Sequence, residues 1–189
     1  MNALFVAAAE IQHFLQRSGE RYCFIGGIAL QRWGEPRFTR DVDLTLLCPY
    51  GAEAQAIEPL LAGFAQRIPE ARAFALQHRV LLLRSATDVP IDVALGGIPF
   101  EERCVARATE FDFGEVRLLT CSAEDLVVLK AFAGRPQDWV DIESVAVRQH
   151  RVLDWKLVFE EFEPLAAVRD MPGLLDRLRQ LRNSASQQE

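Results

Sequence analysis

The segment YCFIGGIALQRWGEPRFTRDVDLTLL, residues 22–47, decides the fold, because it joins two apolar runs through a pair of glycines. Residues 22–25 predict a short strand that stops at the glycine pair, residues 26–27. Residues 28–33 then predict a short helix, and a turn leads into a second predicted strand at residues 41–47. The order of strand, glycine pair, helix and strand indicates a compact site where a ligand can approach the backbone.

The second strand carries Asp41 and Asp43 within a run of valine and leucine. Side chains alternate along a strand, so these two carboxylates point to the same side. Because they repel each other, burying them unpaired would cost several kcal/mol or raise one pKa. A divalent cation removes this cost, and Mg²⁺ prefers such oxygen ligands. The alternative is a solvated edge strand whose charges point outward.

A third carboxylate, Asp92, lies in the apolar run VPIDVAL. If this run pairs beside the strand of Asp41 and Asp43, its carboxylate faces the same space, and two metal ions can be held. The alternative is that Asp92 belongs to a hairpin, because Asp88 and Pro90 are turn residues close by.

The glycines Gly26 and Gly27 end one element and open the next. Glycine allows the backbone to come close to a phosphate, and the N-terminus of a helix offers N–H groups and a positive dipole. The alternative is an ordinary tight turn. The position of the pair before the Asp41-Val42-Asp43 run favours the phosphate-binding interpretation.

Composition sets the class of protein. The chain has 189 residues, of which 50% are hydrophobic and 25% charged, the balance of a soluble globular protein. Its net charge of −6 requires a local basic patch for any nucleic-acid role. The apolar start is interrupted by polar residues and predicts an amphipathic helix rather than a signal peptide, and no run approaches the roughly 18 apolar residues of a membrane span. Four scattered cysteines indicate buried thiols in a reducing cytoplasm.

The remaining pattern predicts strands in the first two thirds of the chain and helices in the last third, an α+β fold. We expect a core over residues 1–120, a helical C-terminal portion over 121–182 and a flexible tail at 183–189. The predicted helices are 3–17, 52–67, 123–133, 138–149, 155–162 and 172–182. The predicted hairpins join strands 80–84 and 89–95 and span 111–119 around Gly114.

The segment IGG, thirteen further residues and DVDL resembles the hG[GS]…Dh[DE]h signature of the DNA-polymerase-β-like nucleotidyltransferase superfamily, where h is hydrophobic. More narrowly, FIGGIALQRWGEPRFTRDVDL resembles AbiEii/AbiGii-type nucleotidyltransferases, in which R-x-T-x-D-h-D follows the glycines. Arg37, Thr39, Asp41 and Asp43 match that pattern.

A second block of that family resembles K-h-x-A-x-x-x-R-x-K-D-h-x-D, and this chain has LKAFAGRPQDWVDI at 129–142. Lys130, Arg135, Asp138 and Asp141 fit it roughly, and Pro136 is not part of the usual pattern. Gln137 stands where a lysine is usual. The resemblance covers about residues 22–142 and leaves the C-terminal part without a signature.

The resemblance implies a mixed, twisted sheet flanked by helices and the transfer of a nucleoside monophosphate from an NTP, with Mg²⁺ or Mn²⁺ as the metal. It implies Asp41, Asp43 and Asp92 as metal ligands and, together with Lys130, as catalytic residues. The implied nucleotide-binding residues are Gly26, Gly27, Arg37, Thr39, Arg40 and Lys130.

Three cations have competing explanations. Lys130 is one of only two lysines and lies in the apolar run LVVLKAFA. It either extends to water or contacts a phosphate.

Arg37 and Arg40 either bind phosphates or pair with Asp41 and Asp43. Asp138 and Asp141 belong to a solvated helix face unless they hold Lys130 or Arg135.

The favoured hypothesis is a cytoplasmic nucleotidyltransferase that modifies RNA such as tRNA, as the toxin of a type IV toxin–antitoxin pair with a cognate antitoxin. One alternative is a transferase for a small molecule, as in aminoglycoside-modifying relatives. Another is a nucleotide-binding module without catalysis. No membrane association is expected, and the sequence does not indicate the oligomeric state.

Overall fold

The computed structural model describes residues 2–169 and 172–185. These residues form two compact units. The sheet unit comprises the described residues up to Ile28 together with Phe38–Cys121. The helical unit comprises Ala29–Arg37 together with the described residues from Ser122 onward.

The sheet unit is built on a mixed sheet. Its strands are β1 (Tyr22–Phe24), β2 (Val42–Leu47), β3 (Ala65–Gln66), β4 (Val80–Arg84), β5 (Pro90–Gly96), β6 (Thr109–Asp112) and β7 (Arg117–Thr120). Among the described residues the sheet has seven strands in the order β3-β4-β5-β2-β1-β7-β6. The pairs β2·β5 and β1·β7 are parallel, and the other neighbours are antiparallel. The predicted α+β class is confirmed.

Helices complete both units. The sheet unit contains α1 (Ala3–Arg17), α3 (Glu53–Gly63), α4 (Ala71–His78) and α5 (Pro99–Arg107). Helix α2 (Gly26–Trp33) begins in the sheet unit and ends in the helical unit. The helical unit contains α6 (Ala123–Ala133), α7 (Pro136–Arg148), α8 (Trp155–Arg169) and α9 (Pro172–Ala185).

One face of the central strands forms the core of the sheet unit. Val42, Leu44 and Leu46 alternate along β2 and are at most 1% exposed. They belong to the same apolar cluster as Ile11 of α1 and Val93 of β5. Burial of each such leucine contributes about 1.5–3 kcal/mol to the free energy of folding. The alternate residues of β2, which include Asp43, therefore point to the opposite face.

The segment after α2 is fixed to α7 within the helical unit. The backbone N–H of Glu35 donates to Ser144 Oγ at 3.1 Å, and Gln149 Nε2 donates to the carbonyl of Trp33 at 2.9 Å. Arg148 donates to the carbonyl of Gly34. A Cβ at Gly34 would lie 2.6 Å from Ser144 Oγ, so this close approach requires glycine. These contacts explain why residues 29–37 group with the helices.

Most predicted elements are confirmed, among them α1, the β4–β5 hairpin and the β6–β7 hairpin. The predicted helix over 52–67 is too long, because α3 ends at Gly63 and β3 follows. Helices α4 and α5 were not predicted, since both are short, with eight and nine residues. Helix α9 extends to Ala185, so residues 183–185 of the expected tail are helical. Residues 186–189 of that tail lie outside the described residues.

Two further expectations concern membranes and thiols. In the described part of the chain no helix combines the length and apolar character that crossing a bilayer requires. All four cysteines are buried, and none forms a disulfide. The prediction of buried thiols is therefore confirmed.

Candidate active site

The carboxylates predicted as metal ligands lie where β2 and β5 run side by side. Asp43 of β2 is the register partner of Asp92 of β5 in this parallel pair. Register partners on neighbouring strands point to the same face of a sheet. The strand of Asp92 therefore pairs beside the strand of Asp43, and this pairing brings the two carboxylates next to each other.

Asp41 differs from the prediction in one respect. The strand was expected to begin at Asp41, but β2 begins at Val42, so Asp41 lies just before it. Its Oδ1 accepts a hydrogen bond from Thr39 Oγ1 at 3.0 Å. Thr39, which the resemblance implies as a nucleotide-binding residue, is in contact with the Asp41 carboxylate.

The glycine pair opens helix α2 directly against these residues. Gly26 has a φ of +55°, and a Cβ built on it would lie 2.2 Å from Asp43 Oδ2. A Cβ on Gly27 would lie 2.4 Å from Thr39 Oγ1. The Asp43 carbonyl also accepts from the Ile25 N–H at 2.9 Å. The backbone and the carboxylate thus share a space that any side chain at residue 26 would fill.

The donor set fits a hard divalent cation. Asp41, Asp43 and Asp92 offer carboxylate oxygens, the ligands that Mg²⁺ takes in proteins. Asp92 Oδ1 is buried and accepts no hydrogen bond. However, no three acidic, cysteine or histidine side chains within residues 2–169 and 172–185 stand together as a complete ligand set. A bound ion would need water or substrate oxygens as further ligands, as is usual for Mg²⁺.

Arg67 occupies one side of this site, and sequence reasoning missed it. Its Nη2 donates to Asp92 Oδ2 at 3.2 Å, and its Nη1 lies 2.6 Å from Asp92 Oδ1. At that distance Oδ1 makes an ionic contact, but the N–H groups are not aimed at it, so no hydrogen bond forms. No local motif surrounds Arg67. Only the pairing of β3 with β4 and of β4 with β5 brings it to Asp92.

The two arginines that flank the carboxylates in sequence have different surroundings. The Arg40 guanidinium lies over the Phe38 ring at 5.6 Å, and both side chains are exposed. Arg37 makes a paired contact with Asp141 of α7, since its Nε and Nη2 donate to Oδ1 and Oδ2 at 3.0 Å each. Neither explanation offered for Arg37 foresaw this partner.

Lys130 is held in a buried ionic cluster of the helical unit. Its Nζ donates to Asp141 Oδ2 at 2.6 Å and to Asp138 Oδ1 at 3.5 Å. The Lys130 side chain is only 6% exposed, so the alternative that it extends to water is wrong. The other alternative, a phosphate contact, stays a prediction. Asp138 and Asp141 accept hydrogen bonds from Lys130, so they do not form a solvated helix face.

The cluster is closed by neighbours on α7. Arg135 Nε donates to Asp138 Oδ2 at 2.7 Å, and Gln137 Nε2 donates to Asp141 Oδ1 at 3.0 Å. Gln137 thus acts as a hydrogen-bond donor where the family pattern has lysine. Burial alone would raise the pKa of Asp141, but hydrogen bonds from Arg37, Lys130 and Gln137 outweigh it and hold that pKa below its ordinary value.

Comparison with known proteins identifies the family. A family model described as "Nucleotidyl transferase AbiEii toxin, Type IV TA system" matches residues 13–188. The chain belongs to the AbiEii nucleotidyltransferase family. It is therefore a nucleotidyltransferase, and this AbiEii protein is expected to use an NTP and to have an antitoxin partner, as the family implies. A search of curated proteins found no match.

Solved structures give the fold. The AbiEii protein resembles an antigenic nucleotidyltransferase-like protein from Paracoccidioides brasiliensis, with a TM-score of 0.54, 18% identity and coverage of 93% of this chain and 91% of that one. It also matches the lincosamide antibiotic adenylyltransferase LnuA in its lincomycin-bound form, with a TM-score of 0.48, 12% identity and coverage of 71% and 91%. The first of these likenesses confirms a nucleotidyltransferase fold.

Replacing Gly26 by alanine should abolish activity out of proportion to its effect on stability. The new Cβ occupies the place of Asp43 Oδ2, and the positive φ adds about 1–2 kcal/mol of strain. Gly19→Ala is the matched control, because Gly19 has a φ of +70° and nothing within 4 Å of a built Cβ. Urea unfolding and labelled-NTP transfer measure both effects. Full transfer by Gly26→Ala would contradict the site.

The two lysines allow a test of the buried cluster. Lys130→Met should lower the free energy of unfolding by about 3 kcal/mol, because Asp138 and Asp141 stay buried without this partner. Lys156→Met is the control. Lys156 Nζ lies 3.6 Å from Glu160 Oε1 with side chains 82% and 60% exposed, so its loss should change stability by less than about 1 kcal/mol. Denaturant unfolding distinguishes the two.

The same cluster predicts a pH dependence. The folded-state pKa of Asp141 is lowered, so its ionised form stabilises the protein above the unfolded-state pKa of about 3.9. This contribution is lost as pH falls through the lower, folded-state value. The stability difference between wild type and Lys130→Met should therefore shrink below about pH 4, and a constant difference down to acid unfolding would contradict the assignment.

Proposed function

We propose that this protein transfers a nucleoside monophosphate from an NTP to an RNA acceptor such as tRNA, with Mg²⁺, or Mn²⁺ in its place, as the metal. The observation that carries the proposal is the register pairing of Asp43 with Asp92 beside the Gly26 backbone. A nucleotidyltransferase needs carboxylates and a phosphate-approaching backbone in one place, and the Asp43–Asp92 pair beside Gly26 supports this assignment.

Asp41, Asp43 and Asp92 would hold the metal, because carboxylate oxygens are the ligands that Mg²⁺ takes in proteins. When bound, the metal would neutralise negative charge on the phosphates and on the attacking and leaving oxygens. Thr39 keeps the Asp41 carboxylate in place through its hydrogen bond of 3.0 Å. Gly26 leaves room for Asp43 to sit against the backbone.

In the proposed reaction an acceptor hydroxyl oxygen forms a bond to the α-phosphorus of the NTP. The bond between the α-phosphorus and the oxygen bridging to the β-phosphorus breaks, and pyrophosphate leaves with that electron pair. Asp92 is the group proposed to accept the hydroxyl proton, because it is a carboxylate on the same face of the sheet as its register partner Asp43. The N–H groups that open α2 at Gly26 and Gly27 are proposed to bind the triphosphate.

The three predicted nucleotide-binding cations differ in their surroundings. Arg40 is exposed and carries its charge on the segment that precedes Asp41, which suits a phosphate contact. Lys130 and Arg37 are occupied by Asp141. Lys130→Met should leave the KM for NTP unchanged if Lys130 is structural, and should raise it several-fold if Lys130 binds phosphate.

Membership of a type IV toxin family supports RNA as the acceptor class and an antitoxin as the partner. The net charge of −6 works against long-range attraction of RNA. Binding must therefore depend on local arginines, and we expect it to weaken steeply as salt rises.

A labelled-NTP screen tests the proposal. The protein is incubated with Mg²⁺ and each α-³²P-labelled NTP, with and without total RNA, and the products are separated by size. Label in RNA supports the proposed acceptor. Label in a small molecule from a cell extract indicates the alternative transferase, and NTP binding without transfer in any mixture indicates a module without catalysis.

Asp43→Asn should lower the transfer rate by about 10³-fold or more, since it removes a ligand from a cation that contributes several kcal/mol. The variant should still fold, because asparagine has nearly the same shape and volume as aspartate. Asp112→Asn is the control, as Asp112 lies in β6 with a 57% exposed side chain. Transfer by Asp43→Asn at the wild-type rate would show that Asp43 holds no metal.

A further inference from the structure

Arg67 lies in one row with the two paired carboxylates. Its N–H donates to the Leu82 carbonyl at 3.0 Å and so continues the pairing of β3 with β4 beyond Gln66. Leu82 is the register partner of Asp92, and Asp92 is the register partner of Asp43. Residues in register share a face of the sheet. The row Arg67, Leu82, Asp92 and Asp43 therefore crosses four strand positions on one face.

The arrangement of this row explains how the arginine reaches the carboxylate. Leu82 separates Arg67 from Asp92 and offers only an apolar surface, over which the arginine stem can lie. The guanidinium then meets both oxygens of Asp92, with side chains 23% and 29% exposed. A contact shielded to this degree from water is stronger than a surface ion pair.

The contact uses the same oxygens that a metal would need. Nη2 donates to Oδ2, and Nη1 lies 2.6 Å from Oδ1 without a directed hydrogen bond. Oδ1 is thus charge-compensated yet still able to accept another ligand. A cation that takes Asp92 as a ligand must share or displace the guanidinium.

We propose that Arg67 is an internal cation that neutralises Asp92 in the metal-free site and competes with the divalent metal for it. This inference rests on the proposed function, because it requires a metal at Asp43 and Asp92. Arg67 acts through Asp92 and is a positioning residue rather than a catalytic one. Its effect is to offset the repulsion between neighbouring carboxylates until the metal arrives and to set the metal concentration that the enzyme requires.

Mn²⁺ binding without NTP, measured by the electron paramagnetic resonance signal of free Mn²⁺, tests the inference. Arg67→Gln removes the competing charge, so the Kd for Mn²⁺ should fall by about 10-fold, the scale of a charge-assisted hydrogen bond. The Mg²⁺ concentration for half-maximal transfer should fall in parallel. Arg67→Met, which keeps an apolar stem over Leu82, is a second variant should the first fold poorly.

Two controls separate competition from general charge effects. Arg72→Gln removes the same charge from the exposed pair with Glu58, whose side chains are each 53% exposed, and should leave the Kd unchanged. In an Asp92→Asn background Arg67→Gln should have no effect, because the shared carboxylate is absent. An unchanged or higher Kd in Arg67→Gln would overturn the inference.

The failure of this inference and the failure of the proposed function look different. If Asp43→Asn abolishes Mn²⁺ binding while Arg67→Gln leaves it unchanged, the metal site stands and the competition is wrong. If the wild type binds no Mn²⁺, or Asp43→Asn binds it as the wild type does, the metal-dependent function is wrong and the competition falls with it.

Discussion

The register of β2 against β5 fixes the site, and the apolar face of the same strands sets that register. Val42, Leu44 and Leu46 of β2 face the core, and the fully or almost fully buried positions Ile91, Val93 and Leu95 do the same on β5. Slipping one strand by a single residue would turn its leucines to the site face and its aspartate into the core. The hydrophobic core therefore determines that Asp43 and Asp92 are neighbours, and no local interaction between them is required.

Features that depend on neighbouring residues in the sequence were predictable, and those that depend on distant pairing were not. The alternation around Asp43, the turn before Pro90 and the glycine pair are local patterns, and each led to the right element. Arg67 and Asp92 lie 25 residues apart, and Arg37 and Asp141 lie 104 apart. Their contacts depend on which strands and helices become neighbours, and periodicity does not contain that information. The family resemblance supplied the Asp92 and Lys130 candidates with an expected role but not with their partners.

The basic residues of the helical unit illustrate why charge in a sequence is a weak guide to binding. The segment RLRQLR at 177–182 could contact RNA, although an exposed helical face is the commoner explanation for such a charge pattern. In the structure, the Arg177 guanidinium lies 4.4 Å from the ring centre of Trp139, and that of Arg182 lies 5.3 Å from the ring of Phe159. Arg179 pairs with Glu163 and Asp176 at 3.5 and 3.3 Å. Each arginine thus has a contact within its own unit, and the two carboxylates offset the charge of Arg179.

Folding without a metal poses an electrostatic problem that the sheet unit solves with its own groups. Asp41, Asp43 and Asp92 would repel one another if left alone, and the repulsion grows as water is excluded. Thr39 donates to Asp41, and Arg67 brings a positive charge to Asp92. Asp43 lies against Gly26, where α2 begins and the helix dipole is positive. These contacts offset part of the repulsion within the folded sheet unit, so under the proposed function the carboxylate oxygens are in place before metal and triphosphate bind.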